Sequence, residues 1–390
     1  MNKKISLGLA LSLIAVSVAI TFILTSFFSL QSFNTKIIDV NEKAKKYTAL
    51  QSLDNYVREN YYGEINEEEL SDGILKGYVS GINDRYSRYL TAEEYKEEQT
   101  DHSGGIVGVG VLLQQDESGY IRITEVFQDS PASESGLLED DIIIAVDGTD
   151  IKEIGFDESV NKMRGTENSE IKLTVRRSGK DTEYKFTRRS IEVASVESKM
   201  IGSNIGYIKI KSFKQNTSQQ FLSALENLTA NGAESLIFDV RDNGGGLVTS
   251  LEECLDPLLP EGIIAVAEYR DGSTETLIYS DASEIFMPMT VIVNENTASA
   301  AELFAASLRD FNKAALVGTQ TFGKGVMQST TELDSGDAVV LTIAKYKTVF
   351  SDCYDGIGIT PDVYIENENE ETDEQYNNAI ELVKALSTKE

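Results

Sequence analysis

Apolar residues follow three successive patterns along the chain, and each pattern predicts a different kind of structure. From residue 40 to 100 they recur at helical spacing, as Leu53, Val57 and Tyr61 do, which predicts a helical segment. From Gly104 to about residue 190, apolar and polar residues alternate in short runs separated by Gly or Asp, which predicts a small β-rich domain. The predicted strands are Val109 to Leu113, Tyr120 to Val126, Asp141 to Val146 and Ile171 to Arg176.

In the third pattern, which begins near residue 191, apolar strands alternate with amphipathic helices. The predicted strands and helices are Ile205 to Ile210, Ser218 to Leu228, Leu236 to Val240, Thr249 to Leu255, Ile263 to Glu268 and Met289 to Asn294. This alternation predicts a parallel or mixed α/β core, whose functional sites form at the carboxyl ends of its strands. An acidic run from Glu366 to Glu374 follows, and then an apolar stripe from Ala379 to Leu386 that suggests a homodimer contact.

The stretch from Ile5 to Leu30 is uncharged and mostly apolar, and it follows Lys3 and Lys4. At helical rise it is long enough to cross a membrane. It is longer than the apolar part of an ordinary signal peptide and no Ala-x-Ala site follows it, which favours an uncleaved anchor over a secreted, cleaved protein. Lysines on both sides leave its orientation open, so the signal-like layout carries the expectation that the globular part is extracytoplasmic.

These patterns together predict five segments in a chain of 390 residues. They are a cytoplasmic tip and transmembrane anchor at 1–36, a helical segment at 37–100, a β-rich domain at 101–190, an α/β core at 191–365, and an acidic linker with a C-terminal helix at 366–390. The predicted fold class is therefore α/β and α+β multidomain.

Composition argues against two kinds of partner, nucleic acid and metal ions. A formal net charge of −29 argues against nucleic acid, because binding to phosphates depends on Lys and Arg. Cys254 and Cys353 are far apart without metal-ligand spacing, and His102 is the single histidine. No metal site is therefore expected.

Ser299 opens an apolar helix and has two interpretations. With Glu302 three residues later it has the spacing of a capping box, which makes it a helix cap. It could also be a nucleophile, and then it needs a base. His102 lies far upstream in a stretch of different character, so a serine/histidine/aspartate triad is disfavoured.

Lys324 is the alternative base, because it lies between Gly323 and Gly325 and no acidic residue lies within five positions. Burial can remove the proton from a lysine, whereas the ordinary interpretation is an exposed loop residue. If a strand begins at Val326, Gln328 shares a face with Lys324 and can orient its amine without adding charge. Otherwise Gln328 is an ordinary strand residue.

Two glycine runs are further candidates. Gly244 to Gly246 follows a predicted strand and could direct backbone N–H groups at an oxyanion or hold a phosphate, although no Gly-Lys-Ser/Thr follows to make a P-loop. Gly104 to Val111 leads into a strand and could hold the terminal carboxylate of an extended peptide. It could equally be a bulge or a tight turn.

Taken together, these motifs resemble the C-terminal processing peptidases, the tail-specific serine proteases of peptidase family S41 that carry an inserted PDZ domain. The matching stretches, within about residues 48 to 364, are Asp72 to Gly77, Asn83 to Ser87, Ser130 to Leu137, Asp140 to Gly148, Asp239 to Gly246, Asn296 to Glu302, Thr321 to Gln328 and Gly358 to Asp362. The resemblance implies that 101–190 is a PDZ domain and that 191–365 is a Clp/crotonase-like protease core.

The resemblance also implies roles by position. Ser299 would be the nucleophile, Lys324 the general base and Gln328 its orienting residue, and no cofactor is needed. The oxyanion hole would combine the N–H of Ala300 with that of Gly245 or Gly246. The PDZ residues that would hold the substrate's terminal carboxylate are Gly108, Val109, Gly110 and Val111. Arg164 matches a basic position that would couple peptide binding to the active site.

The chain departs from the family in three places. Gly244 and Arg85 each replace a frequent proline, which predicts more flexible turns. Residues 349–354 differ from the usual stretch and leave the side-chain preference open. We expect a membrane-anchored, exported serine endopeptidase whose partners are proteins or peptides with exposed C-termini. The alternative is a catalytically silent PDZ-containing peptide-binding or scaffold protein.

Overall fold

The computed structural model describes residues 44–281, 283–367 and 372–387, together with the single positions 8, 17, 21 and 25. The chain divides into two compact units between Ile74 and Leu75. The predicted anchor from Ile5 to Leu30 lies almost entirely outside the described residues. Within the described part of the chain, no helix combines the length and apolar content that crossing a membrane requires.

The first unit is helical, as the spacing of Leu53 and Val57 predicts. Helix α1 covers residues 44–60, and α2 (Glu67–Ser80) begins in this unit and continues past its end. Arg58 near the end of α1 forms an ion pair of 2.5 Å with Glu67 at the start of α2. In the second unit, a short strand β1 (Arg88–Leu90), which the pattern did not predict, leads into α3 (Ala92–His102).

A β-rich domain follows α3. Its strands are β2 (Gly105–Gly108), β3 (Val111–Gln115), β4 (Ile121–Val126), β5 (Ile142–Val146), β6 (Thr149–Asp150), β7 (Glu170–Arg177), β8 (Lys180–Thr187) and β9 (Arg189–Glu192). Its helices are α4 (Pro131–Glu134), α5 (Ile151–Ile154) and α6 (Phe156–Met163). The main sheet has the order β3-β4-β5-β7-β8 with β6 on β5, and β2 pairs with β9. Alternate residues such as Ile121, Ile123 and Leu173 point into its core and are completely buried, as the period of two predicts.

The α/β core is built on a six-stranded sheet. Its elements are β10 (Val196–Ile201), β11 (Ile205–Ile210), α7 (Thr217–Ala230), β12 (Ser235–Asp239), α8 (Val248–Leu255) with a 3-10 turn at Asp256–Leu258, β15 (Met289–Val293), α9 (Ala300–Asp310), β16 (Ala314–Gly318), β19 (Val363–Tyr364) and α10 (Glu374–Ser387). The strand order is β10-β11-β12-β15-β16-β19, and every pair except β10 with β11 is parallel. Successive residues of one strand, such as Ile237 and Phe238, are buried in clusters on opposite faces, as in covered parallel sheets.

A second, antiparallel sheet covers part of this core. It contains β13 (Gly262–Tyr269), β14 (Thr274–Ser280), β17 (Val326–Glu332) and β18 (Ala338–Thr348), together with β1. The strand predicted at Ile263 to Glu268 is present as β13, but it belongs to this second sheet, where it pairs with β14 and β18. The apolar character of a segment indicates burial and does not indicate which sheet the strand joins.

The apolar stripe on α10 has a partner inside the same chain. Ala379 and Val383 are completely buried in a cluster with Ile237 and Ile292 of the core sheet. The stripe that suggested a homodimer is therefore explained by packing against the chain's own sheet, and a homodimer stays a prediction without this support.

Candidate active site

Three loops converge because the strands before them are neighbours. The glycine run follows β12, the turn with Ser299 follows β15, and the loop with Lys324 follows β16, and these strands lie side by side in parallel. Parallel strands end at the same edge of a sheet, so the three loops meet there. The sheet therefore brings together residues that are far apart in sequence.

Ser299 lies in a backbone conformation that is costly for a residue with a side chain. Its φ is 57° and its ψ is −121°, and it is the N-cap residue of α9. Non-glycine residues in such conformations persist where the surrounding structure holds them, often at functional sites. The cap interpretation of Ser299 is thus correct for its position, and the strain is a separate observation that a simple cap does not need.

Glu302 connects the serine turn to the lysine loop. Its carboxylate is completely buried and accepts four hydrogen bonds. Oε2 accepts from the N–H groups of Ser299 (2.9 Å) and Lys324 (2.8 Å). Oε1 accepts from the Thr321 hydroxyl (2.6 Å) and the Gly323 N–H (2.7 Å). One side chain thus fixes the backbone positions of both candidate catalytic residues.

The backbone of Lys324 is fixed further, but its amine is not joined to Ser299. The Tyr346 hydroxyl donates to the Lys324 carbonyl at 2.6 Å. The Lys324 Nζ lies 4.8 Å from the centre of the Tyr86 ring. Within the described residues, it forms neither a hydrogen bond to Ser299 nor an ion pair.

The environment of the amine favours its neutral form. The side chain is half-buried, and this burial lowers the pKa of Lys324 below that of an ordinary lysine. The positive charges of Arg88 and Arg85 lower the pKa further, and only the charge of Glu302 opposes them. A general base must be neutral, so the direction of the shift suits that role.

Within the described residues, no hydrogen bond joins the Gln328 side chain to Lys324. Strand β17 begins at Val326 as expected, but a register irregularity lies between Met327 and Gln328. The extra residue of this irregularity, Ile343, is on β18, so it does not interrupt the alternation of faces along β17. Lys324 lies before β17, however, so strand alternation alone does not place it on the face of Val326 and Gln328. The Gln328 side-chain N–H donates instead to the Val326 carbonyl at 3.2 Å.

Asn243, completely buried, holds the glycine run against the serine turn. Its Oδ1 accepts from the Gly245 N–H at 2.8 Å, and its carbonyl accepts from the Ala298 N–H at 2.9 Å. A Cβ added to Gly245 would lie only 2.8 Å from the Cβ of Ser299 and 3.0 Å from the N of Ala300. The Gly245 N–H is thus occupied, while among the described residues the N–H groups of Gly246 and Ala300 have no acceptor.

This closeness predicts the effect of Gly245→Ala. The new methyl group would collide with Ser299 and would require an unfavourable φ of 103°. The methyl group would also displace the N–H of Ala300, a candidate oxyanion donor, so we expect kcat on a peptide substrate to fall about a hundredfold or more, as when one such donor is lost. Gly244→Ala is the matched control, because a Cβ there meets no atom within 4 Å, and it should stay within about twofold of wild type. Equal losses in both variants would contradict the proposed contact.

In the β-rich domain, the predicted carboxylate-binding residues form the connection between β2 and β3. Val109 is buried and its carbonyl accepts from the Ala132 N–H at 2.8 Å. Gly110 has a φ of 88°, and its carbonyl accepts from the Phe127 N–H at 3.0 Å. Both carbonyls are engaged inside the domain, and a Cβ on Gly110 would collide with Ser130 at 2.2 Å. A bend at Val109 leads from β2 into β3, and these hydrogen bonds fix the backbone of the candidate loop.

Arg164 directly follows α6 and is exposed. It borders a cavity of about 590 Å³ that is also lined by α3 and by Gly105, Ile106 and Val107 of β2. Helix α3 contacts the α/β core, because the His102 carbonyl accepts from the Gln215 N–H at 2.9 Å. Within the described residues, no hydrogen bond or ion pair joins the His102 ring to Ser299.

Three residues of this site were not recognised from sequence. Glu302 was noted only as a partner in a helix cap, although an acidic residue in an otherwise apolar helix could have suggested a buried acceptor. Asn243 precedes the glycine run, and a side-chain amide beside such a turn is a usable signal. For Tyr86 no local signal exists, because its contact with Lys324 is long-range.

Comparison with known proteins agrees with this architecture. The model of Peptidase family S41 matches residues 204–365, and that of the PDZ domain matches residues 97–176. The carboxy-terminal processing protease CtpA of Bacillus subtilis (strain 168) is 33% identical over 323 residues, which are 82% of this chain and 69% of the relative. The chain therefore belongs to peptidase family S41, in the group of C-terminal processing serine proteases with a PDZ domain.

Two further relatives extend the comparison. The "Probable CtpA-like serine protease" of Staphylococcus aureus (strain MRSA252) is 33% identical over 355 residues, covering 89% of this chain and 71% of the relative. The solved photosystem II D1 C-terminal processing protease is 23% identical with a TM-score of 0.50, covering 81% of this chain and 86% of that chain. This last likeness is one of fold.

Proposed function

We propose that this protein is a serine endopeptidase that recognises the C-terminal tail of its substrate through the PDZ domain and cleaves with Ser299 and Lys324. The convergence at Glu302 carries this proposal, because one buried carboxylate joins the strained serine turn to the loop of a lysine with a lowered pKa. A helix cap alone requires neither the strain nor the lysine loop.

The reaction follows from these positions. Ser299 Oγ attacks the scissile carbonyl carbon while the neutral Lys324 Nζ accepts the hydroxyl proton. The N–H groups of Gly246 and Ala300 stabilise the negative oxygen of the tetrahedral intermediate. The Lys324 ammonium then gives its proton to the leaving amine, and an acyl-enzyme remains. Water attacks this ester while Lys324 accepts a proton from the water, and the proton returns to Ser299.

A side-chain rearrangement must precede the first step. The Lys324 backbone is held by Glu302 and Tyr346, so rotation of the lysine side chain is the movement that can carry Nζ from the Tyr86 ring to Ser299. Gln328 can orient the amine only after its own side chain leaves the Val326 carbonyl. The structure thus corresponds to a resting state in this proposal.

Tail recognition is proposed for the groove between β3 and α6. Val111 and Leu113 of β3 and Val160 of α6 pack against the domain core and remain partly exposed. An extended peptide could pair with β3 while its carboxylate meets the backbone of the Val109-Gly110 turn. This places the main chain of the tail on the strand and its side chains over the apolar groove.

Peptides that differ only in their last three residues test this function. The full-length chain and a Ser299→Ala variant would be incubated with an unfolded substrate carrying each tail, and cleavage would be followed by mass spectrometry. We expect cleavage by wild type alone, with kcat/KM depending on the tail. Cleavage that Ser299→Ala retains would overturn the assignment of the nucleophile. Equal cleavage of all tails would overturn tail recognition alone.

Arg164→Ala tests coupling between the PDZ domain and the active site. Arg164 borders a cavity with α3, and α3 contacts the protease core, so the loss of its charge should weaken stimulation by an added tail peptide. We expect tail-stimulated kcat to fall several-fold while peptide affinity, measured by fluorescence polarisation, stays within about twofold. Lys162→Ala, an exposed change on α6 itself, is the control. Unchanged stimulation in Arg164→Ala would remove this role.

The Lys324 amine lies against the Tyr86 ring and, within the described part of the chain, is not hydrogen-bonded to Ser299. This observation favours a second candidate, a catalytically silent peptide-binding protein. Such a protein would bind tails but would have no activated serine. A fluorophosphonate, which reacts covalently with activated serines, distinguishes the two. Labelling that Ser299→Ala abolishes supports the peptidase, and tail binding without any labelling supports the scaffold.

We also propose that the protein is anchored in the cell membrane with its catalytic part outside the cytoplasm, on the strength of the apolar stretch from Ile5 to Leu30. Digestion of intact cells with an external protease tests this location. Protection of the catalytic part in intact cells would contradict it, and its release into the medium would support the secreted alternative.

A further inference from the structure

Aromatic rings and positive charges are packed together beside Lys324. The guanidinium carbon of Arg85 lies 5.1 Å from the centre of the Tyr86 ring and 4.9 Å from that of Phe322. The Lys324 Nζ lies 4.8 Å from the centre of the same Tyr86 ring. Arg85 replaces a frequent proline, and this replacement predicted a more flexible turn. In the structure, its guanidinium lies beside two aromatic rings.

We propose that Tyr86 and Arg85 are an opposed pair of positioning residues: the Tyr86 ring receives the Lys324 ammonium away from Ser299, and the Arg85 guanidinium limits how tightly the ring holds it. This inference rests on the proposed function, because it concerns the base of that reaction. Neither residue touches the reacting atoms. Both act through the position and charge of Lys324.

The Tyr86 ring distinguishes the two protonation states of the amine. The face of an aromatic ring attracts an ammonium electrostatically, and a neutral amine lacks this attraction. Protonated Lys324 is therefore favoured on the ring. Loss of the proton weakens that contact at the same time as it makes the amine able to act as a base. Position and protonation are linked in this way.

The segment that carries Tyr86 is anchored independently of the lysine loop. The Ser87 hydroxyl donates to the Asp84 carboxylate, and it accepts from the Thr342 N–H at 3.1 Å. Strand β1 then pairs with β18, with Arg88 opposite Val340. The ring is consequently held by the second sheet, and it should remain in place when the Arg85 side chain is shortened.

Arg85 opposes a second positive charge at this ring. Its guanidinium carbon and the lysine amine lie 5.1 Å and 4.8 Å from the centre of the same Tyr86 ring, and the positive charge of Arg85 lowers the pKa of Lys324 because like charges repel. Arg85 is exposed, so solvent and salt screen part of this repulsion. The ring and the guanidinium thus have opposite effects on the ammonium.

Other groups around the amine are common to all variants proposed below. Burial contributes most to lowering the pKa of Lys324, and Arg88 contributes more than Arg85 does. The charged and titratable groups that surround the lysine loop, besides Arg85 and Tyr86, are Arg88 from β1, Glu302 from α9, Tyr346 from β18, and Cys353 and Asp355 from the segment after β18. These groups are the same in every variant, so a difference in pH dependence between variants reports on Arg85 and Tyr86.

The pH dependence of Ser299 labelling by a fluorophosphonate tests the pair in the full-length chain. The second-order rate constant should fall at low pH as Lys324 becomes protonated. We expect Arg85→Gln to move this acid limb upward by about half a pH unit, because a repulsive charge is lost. Tyr86→Leu should move it downward by about half a pH unit, because the ammonium loses the ring. Shifts in opposite directions are not produced by general damage to the fold.

Conservative variants identify the chemical group responsible. Arg85→Lys keeps the charge and should stay close to wild type, and so should Tyr86→Phe, which keeps the ring. Superimposable profiles of wild type, Arg85→Gln and Tyr86→Leu would overturn the proposal, as would a shift in Tyr86→Phe equal to that in Tyr86→Leu. Lys324→Ala separates this from the proposed function. If Lys324→Ala were labelled at the wild-type rate, Lys324 would not be the base. If Lys324→Ala were labelled slowly but the pH profiles of wild type, Arg85→Gln and Tyr86→Leu coincided, only the roles of Arg85 and Tyr86 would be overturned.

Discussion

Lys324→Ala is expected to lower kcat for peptide cleavage by at least about four orders of magnitude, because it removes the base that the proposed mechanism assigns to the Ser299 proton. This magnitude is taken from serine hydrolases, in which loss of the nucleophile or of its base alone lowers kcat about as much as loss of both. Ser299→Ala should lose as much, and the double variant should lose little more, since the two residues act as a unit. Rates would be compared under single-turnover conditions.

Folding should be nearly unaffected by this change. The Lys324 amine has no hydrogen bond within the described residues, and the contacts that fix the loop come from its backbone. Lys345→Ala on β18 is the matched control, because that lysine is exposed and its backbone pairs with Val326. A Lys324→Ala enzyme that keeps more than about a tenth of wild-type kcat would contradict the assignment of the base.

Glu302→Gln is the second large expected effect, and it combines loss of stability with loss of activity. Each carboxylate oxygen accepts two hydrogen bonds, from Ser299 and Lys324 on one side and from Thr321 and Gly323 on the other. A glutamine replaces one of these oxygens with an NH2 group. At least one backbone N–H then loses its acceptor inside a completely buried site, which costs about 2 kcal/mol of unfolding free energy.

The activity of Glu302→Gln should fall as well, because the relative position of Ser299 and Lys324 would change. The serine turn and the lysine loop are joined through this carboxylate, so we expect kcat to decrease about tenfold to a hundredfold in Glu302→Gln. Glu295→Gln is the control, because its exposed carboxylate accepts a single hydrogen bond within the described residues, from Thr319 in the same region at 3.0 Å. Urea unfolding and single-turnover kinetics would measure the two effects. If the two variants behaved alike, Glu302 would have no special role in joining the loops.

The strands and helices were accessible to sequence reasoning where one local pattern determines them. The period of two around Ile121 and Ile171 predicted strands of the PDZ domain that are present within one or two residues. The capping spacing of Ser299 and Glu302 correctly predicted where α9 begins. Such patterns reflect contacts between residues that are close in sequence, and for that reason they can be recognised in one chain.

Register and sheet membership were not accessible in the same way. The pairing of β17 with β18 shifts by one residue after Met327, and no pattern within β17 indicates this shift. Strand β13 has the apolar character of a core strand, yet it pairs with β18 in the second sheet. Both features depend on the neighbouring strand, and the sequence of one segment does not specify its neighbour.

The sequence alone determined the family resemblance, the order of the segments and the candidates Ser299 and Lys324. Motifs and local periodicity involve residues that are close together in the chain, so they can be recognised without the fold. Only the tertiary structure decided how the candidates meet. Parallel strands β12, β15 and β16 bring three loops to one edge, Glu302 joins two of them, and Tyr86 receives the amine of Lys324. These contacts join positions far apart in the chain, and their energies depend on burial and direction that only the folded backbone creates.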